Sequence, residues 1–168
     1  MASATLPAAP ARLKPSQAIL FGTLTVGILD IADVFIFFGI RNGVRPARIL
    51  QAIAAGLIGR EAAIGGGLAT AALGAVLHFF IAFLIVSIYY LASTRVRALT
   101  RRPLLSGALY GILAYVVMNF VVIPASAAGN WPPMVAPTPV LINGLLIHIF
   151  GVGIPSALFA RVARGSSA

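Results

Sequence analysis

No cysteine occurs in the chain, so disulfides, thiol catalysis and cysteine-ligated zinc or iron–sulfur centres are excluded. Acid is almost as scarce. Asp30, Asp33 and Glu61 are the only carboxylate side chains, against twelve Lys and Arg, and charged residues make up just 9% of the 168 positions. Hydrophobic residues make up 60% and the mean hydropathy is +1.03, far outside the balance of a soluble globular domain. Lipid is the expected solvent. A net charge of +9 would suggest nucleic acid in a soluble protein. Here the basic residues lie between apolar runs rather than along a stripe with interleaved aromatics, so they mark membrane borders and no nucleic-acid partner is expected.

Enzyme motifs are also missing. The chain has no Gly-x-Ser-x-Gly, no His-Glu-x-x-His and no phosphate-binding Gly-rich loop with Lys, and Asp30-x-x-Asp33 is not followed by the further acidic pair of membrane phospholipid synthases. Leu105-Ser106-Gly107 is too common a triplet to mark an intramembrane protease. No residue is therefore assigned a catalytic role, and enzymatic activity is not expected.

What is present is a set of long apolar runs. About 20 apolar residues cross the hydrocarbon core, and four runs qualify: Gln17–Ile40, Leu68–Ser93, Leu104–Pro124 and Val140–Ala160. Gly65-Gly66-Gly67 marks the start of the second, and Asn130-Trp131-Pro132-Pro133 with Pro137-Thr138-Pro139 separates the last two. Trp131 suits the headgroup layer. The fold class expected is an all-α membrane protein, a four-transmembrane-helix bundle occupying 17–161. The Ala/Pro-rich tail 1–16 is expected to be disordered and 162–168 forms a carboxyl tail. A cleaved signal peptide is not expected, because the first apolar run is too long and carries two aspartates.

Between the first two spans, Pro46–Gly59 is too short to cross. Ile49, Leu50, Ile53, Leu57 and Ile58 recur at helical spacing with Arg45, Arg48 and Gln51 off that face, the pattern of an interfacial or re-entrant amphipathic helix or of one packed on the top of the bundle. Orientation follows from the arginines. With the amino terminus inside, eight basic residues fall inside and four (Arg41, Arg45, Arg48 and Arg60) outside, which places both termini in the cytoplasm. Tyr89 and Tyr90 then fall near the inner interface, as an aromatic belt would have them.

Two aspartates in the first span are the most informative residues, since an ionisable group in hydrocarbon costs several kcal/mol or more without a partner or water. Small and polar residues mark the interior face of each helix. Thr23, Gly27, Asp30, Asp33 and Phe37 share a stripe in the first span; Gly67, Ala71, Gly74, His78 and Ala82 in the second; Gly144, His148, Gly151 and Pro155 in the fourth. The third contributes Gly107-x-x-x-Gly111, with Tyr115 and Asn119 beyond. At about 1.5 Å per residue, Asp30 and His78 lie roughly 15 Å from the outer ends, His148 about 12, Asp33 about 10, Asn119 about 8 and Asn143 about 5 Å. These depths predict a polar cavity in the outer half with Tyr115 near its floor.

Several chemistries fit this set. Asp30, Asp33, His78 and His148 suit a divalent metal. His78 and His148 could ligate one haem, a less favoured alternative. A buried Asp–His cluster also suits proton or cation movement, although the inner half has no equivalent groups. The plain alternative is interhelical glue in an accessory subunit of a larger membrane complex or a homo-oligomer.

His78-Phe79-Phe80-Ile81-Ala82-Phe83 with Tyr89-Tyr90, then Leu105-Ser106-Gly107 through Met118-Asn119-Phe120 to Pro124, then His148, resembles a group of small uncharacterised four-span bacterial inner-membrane proteins. More distantly, the order of a histidine-bearing span, a Gly-rich span ending in proline and a last span with histidine is similar to the YagU-like inner-membrane family. The resemblance covers about 73–159, leaves out the first-span aspartates, and implies a bacterial plasma membrane and four helices without an activity.

Overall fold

The computed structural model describes residues 12–129 and 135–165. All its regular structure there is helical, with no strand among the described residues. Four helices are long and apolar enough to cross a membrane: α1 (Pro15–Asn42), α4 (Gly67–Arg95), α6 (Pro103–Ala125) and α7 (Thr138–Arg164). Three short ones, α2 (Pro46–Ile58), α3 (Arg60–Gly65) and α5 (Ala98–Arg101), lie in the connections. This is the architecture of a multi-pass membrane protein, and helices suit it because a helix satisfies its own backbone polar groups in lipid.

Helix ends run a little beyond the apolar runs. Pro15 opens α1, its fixed φ suiting a first turn, and the Lys14 N–H donates to Gln17 Oε1 at 2.9 Å. Pro15 and Ser16 therefore belong to the first span and not to a disordered tail; residues 1–11 of that tail lie outside the described residues. At the other end α1 stops at Gly43, whose φ of 64° needs a residue without Cβ. The last helix continues to Arg164, taking in residues expected to form a tail. Trp131 lies outside the described residues.

The bundle is inside-out relative to a soluble core. Large apolar side chains such as Ile36, Leu109 and Phe150 are exposed where the bilayer would cover them. Small residues hold the interior. In α6, Gly107 and Gly111 lie backbone to backbone against the middle of α7: a Cβ on Gly107 would sit 2.7 Å from Ile154 Cα, and one on Gly111 2.8 Å from Ile149 Cα. The half of the bundle holding both described chain ends is closed. There Tyr89, Ala157 and Ala160 are buried together, and α7 touches the other three spans.

Tyr89 departs from the aromatic-belt expectation. Its ring is 1% exposed and its hydroxyl lies 3.0 Å from the Leu99 carbonyl oxygen and 2.9 Å from Ser106 Oγ, so it ties the α5 connection to the bundle and faces no headgroups. Tyr110 packs edge-on against it, ring centroids 4.9 Å apart, and donates to the Ile85 carbonyl at 2.7 Å. That bond joins α6 to α4, two helices otherwise not in close backbone contact. Tyr110→Phe is expected to cost about 1 kcal/mol, the usual worth of one interhelical hydrogen bond, and to be read as an earlier unfolding midpoint in mixed-micelle denaturation.

The short helix expected between the first two spans is present, and it packs against the bundle. Ala54 and Ala55 of α2 pack with Ala63, Leu73 and Ala128, and Leu50's backbone rests on Gly74 of α4. The buried face is not the one hydropathy marks. Ile49 is buried, but Leu57 and Ile58 are exposed while Gln51 is only 8% exposed. The reason is a hydrogen bond: Gln51 Nε2 donates to the Gly67 carbonyl at 2.9 Å, at the first residue of α4, and Arg48 donates to Gln51 Oε1 at 3.2 Å.

Candidate functional site

Away from the closed half, α4 and α6 are held apart and a cavity of about 870 Å³ fills the space between the spans, with α2 as its cover. All seven polar residues singled out in the sequence line it. Asp30 and Asp33 come from α1, His78 from α4, Tyr115 and Asn119 from α6, and Asn143 and His148 from α7. Helical periodicity explains most of this: all but Asn143 lie on the small-residue stripes of their own helices, and those stripes face one another. The rest of the wall is mainly Val, Ile, Leu, Phe and Ala.

His78 reaches across to α1. Its Nε2 is 2.9 Å from the Gly27 carbonyl oxygen, and its Nδ1 is 4.0 Å from Asp30 Oδ2. A carbonyl only accepts, so Nε2 carries the proton and Nδ1 is the nitrogen turned to the aspartate. Gly27 permits the approach, since a Cβ there would lie 2.5 Å from the Phe79 ring. Asp30 is 20% exposed and His78 11%; the second aspartate oxygen, Oδ1, is buried without a hydrogen-bond partner. His148, His78 and Asp33 are all within electrostatic reach of Asp30.

On the opposite wall, His148 Nδ1 is 2.9 Å from the Gly144 carbonyl oxygen one turn earlier, which places the proton on Nδ1 and leaves Nε2 unspent. Its ring stands edge-on to Tyr115 at 5.4 Å between centroids. Asn143 Nδ2 donates to Asp33 Oδ2 at 2.6 Å, tying α7 to α1, and Asn119 Nδ2 donates to the Tyr115 carbonyl at 3.0 Å. In both amides the nitrogen is identified by its partner, an oxygen that can only accept.

These commitments bear on the metal reading. Among the described residues no three His, Asp or Glu side chains are grouped to hold a metal ion. The set Asp30, Asp33, His78 and His148 is collected around one cavity but is not drawn together into a ligand shell, although each imidazole keeps one nitrogen and Asp33 one oxygen uncommitted. A haem bound by both histidines would have to use His78 Nδ1, the atom beside Asp30.

Sequence reasoning missed two parts of the site. One is its cover, where Arg48, Ile53 and Gly56 of α2 line the cavity. The other is backbone geometry. Met118–Val122 and His148–Gly153 are π-helical turns, and they carry Asn119 and His148. Pro124 and Pro155 follow them, and a proline cannot donate to the carbonyl four residues back, so a widened turn accommodates the ring. Two prolines placed shortly after polar residues in apolar runs were the available signal.

The fold and the cavity define a multi-pass α-helical membrane protein with a polar site inside its bundle. No family model matches the chain, and neither curated proteins nor solved structures give a match.

Proposed function

We propose that this chain is an integral protein of a bacterial inner membrane, with both termini cytoplasmic, that binds or conducts a small ion or solute at the polar site in the outer half of its bundle. One observation carries the reading: polar residues from four separate spans line a single cavity. Helix glue needs pairs in contact. Asn143 with Asp33 and His78 with the Gly27 carbonyl are such pairs, but among the described residues His148 Nε2 and Asp30 Oδ1 make no hydrogen bond that joins helices. The inner-membrane location rests on the family resemblance, and the orientation on the eight-to-four distribution of basic residues.

Asp30→Asn separates a site from a strut. If Asp30 serves a site, the variant folds with a melting temperature close to wild type in detergent and loses its bound ion or solute. A purely structural ion pair predicts the reverse, a marked fall in melting temperature with unchanged ligand content, because His78 would be left facing no charge.

Orientation has its own test. Single cysteines at Ser3, Thr100, Ala128 and Ser167, introduced into this cysteine-free chain, are expected to react with an impermeant maleimide in intact cells only at Ala128. Labelling of Thr100 from outside would invert the topology.

A further inference from the structure

We propose that the cavity selects a lipophilic ammonium ion, an apolar molecule whose cationic head bears N–H donors. The inference rests on the reading of the cavity as a binding site and names what it takes. Three observations point to that chemistry, and they concern different properties of the site.

The first is hydrogen-bond polarity. His78 spends its Nε2 proton on Gly27, His148 its Nδ1 proton on Gly144, and the amides of Asn119 and Asn143 each direct an N–H to an oxygen of the protein. With neutral imidazoles, what remains for a ligand is chiefly acceptors: Oδ2 of Asp30, the second oxygen of Asp33, His78 Nδ1, His148 Nε2 and the two amide oxygens. Against these stand the second N–H of each amide, the Tyr115 hydroxyl and, on the α2 cover, the guanidinium N–H groups of Arg48 not bonded to Gln51. A ligand rich in donors matches this wall, and a ligand rich in acceptors does not.

The second is charge and spacing. Two carboxylates face the cavity, and among the described residues its one Lys or Arg, Arg48, sits on the α2 cover with a guanidinium nitrogen bonded to Gln51. His78 Nδ1 and Asp30 Oδ2 are 4.0 Å apart, too far to bond each other. A single nitrogen about 2.8 Å from each would bridge them with an angle near a right angle, close to the H–N–H angle of an ammonium group.

The third is size and access. At about 870 Å³ the space far exceeds a bare cation and lies in the range of organic-ligand pockets. Its wall is otherwise apolar, with Phe37, Phe38 and Tyr115 available to the cation's face. Phe80 and Ile123 line it from α4 and α6 and are half exposed, as expected if the cavity is open between those helices, which would put its mouth beside the acyl chains. A molecule already dissolved in the bilayer can enter there, apolar body included.

The test uses the full-length protein in phosphatidylcholine nanodiscs, titrated with 4-phenylbutylamine and three relatives of the same skeleton: the trimethylammonium salt, the alcohol and the carboxylate. The primary amine is expected to bind saturably, with the quaternary salt, which has charge but no N–H, and the neutral alcohol at least about tenfold weaker, as for a site whose buried acceptors are left unpaired. Asp30→Asn should weaken the amine by a similar factor. Val34→Trp fills the cavity from α1 while leaving every polar lining residue in the sequence and should abolish binding of every probe. Adding phosphatidylethanolamine separates the sources of the ammonium group: competition with the amine assigns the site to that headgroup, and no competition assigns it to a free amine, either way a donor-bearing cation. Equal binding of the quaternary salt or the alcohol overturns the inference. Saturable binding of the alcohol or carboxylate alone, lost in Val34→Trp, overturns it while leaving a binding site. No saturable binding by any probe overturns both the inference and the site.

Discussion

Gly111→Leu is expected to break the bundle between α6 and α7. Gly111 lies against the carbonyl of His148 and within 2.8 Å, measured from the position of a Cβ, of Ile149 Cα; these are main-chain atoms, which cannot rotate away. Gly107 makes the same kind of contact one turn earlier. Overpacking a well-filled interior costs about 1–3 kcal/mol when side chains can adjust. Here the helices themselves must move apart, so the cost should reach the top of that range or exceed it, a large part of a typical stability of about 5–15 kcal/mol. The variant should extract from the membrane mainly as aggregate, or show an unfolding midpoint lowered far more than Tyr110→Phe does. Because the contact falls on His148, any ligand bound in the cavity should be lost too. A variant that folds with wild-type stability would show that the two helices do not meet at this glycine.

Gly74→Val is expected to lift α2 from the bundle. Gly74 faces the backbone of Leu50, whose carbonyl carbon would lie 2.6 Å from an added Cβ and whose carbonyl oxygen would be closer still. The clash is at the Cβ itself, so no rotamer relieves it, and valine's branch adds bulk beside the helix backbone in its way. The spans themselves do not depend on this contact, so the protein should remain folded while α2 becomes mobile. Ala55 reports the difference. It is 3% exposed, and a cysteine placed there should react slowly with a maleimide in the otherwise native protein and at least about tenfold faster with Gly74→Val, the signature of a locally opened segment. Unchanged reactivity would mean that α2 is held by Gln51 and Ala54 without the close approach at Gly74.

The seven polar residues could be read from the sequence because lipid makes polar groups costly and therefore few. Once the apolar runs are set, helical periodicity assigns a face and the rise per residue assigns a depth, and both placed Asp30, His78 and His148 toward a common interior. Gln51 could not be read in this way. Its burial depends on Gly67, sixteen residues away, offering a carbonyl at the right place, and hydropathy treats glutamine as a surface residue whatever its partner. Tyr89 was placed near the inner interface as part of an aromatic belt for a similar reason: position along a run says nothing of direction, which is set by Leu99 and Ser106 in the following connection and helix.

By itself the sequence determined the solvent, the number and extent of the spans, and which few residues must turn away from lipid. These properties are local, summed over twenty or so residues, and follow from the cost of exposing polar groups to hydrocarbon. Only the tertiary structure decided how those residues are engaged. That Asp33 is held by Asn143, that His78 and His148 each keep one nitrogen free while the other is bonded to a carbonyl, and that α2 closes over the space between α4 and α6 are consequences of contacts between distant segments. A hydrogen bond selects its partner by geometry within a few tenths of an ångström, and no pattern along one helix carries that information.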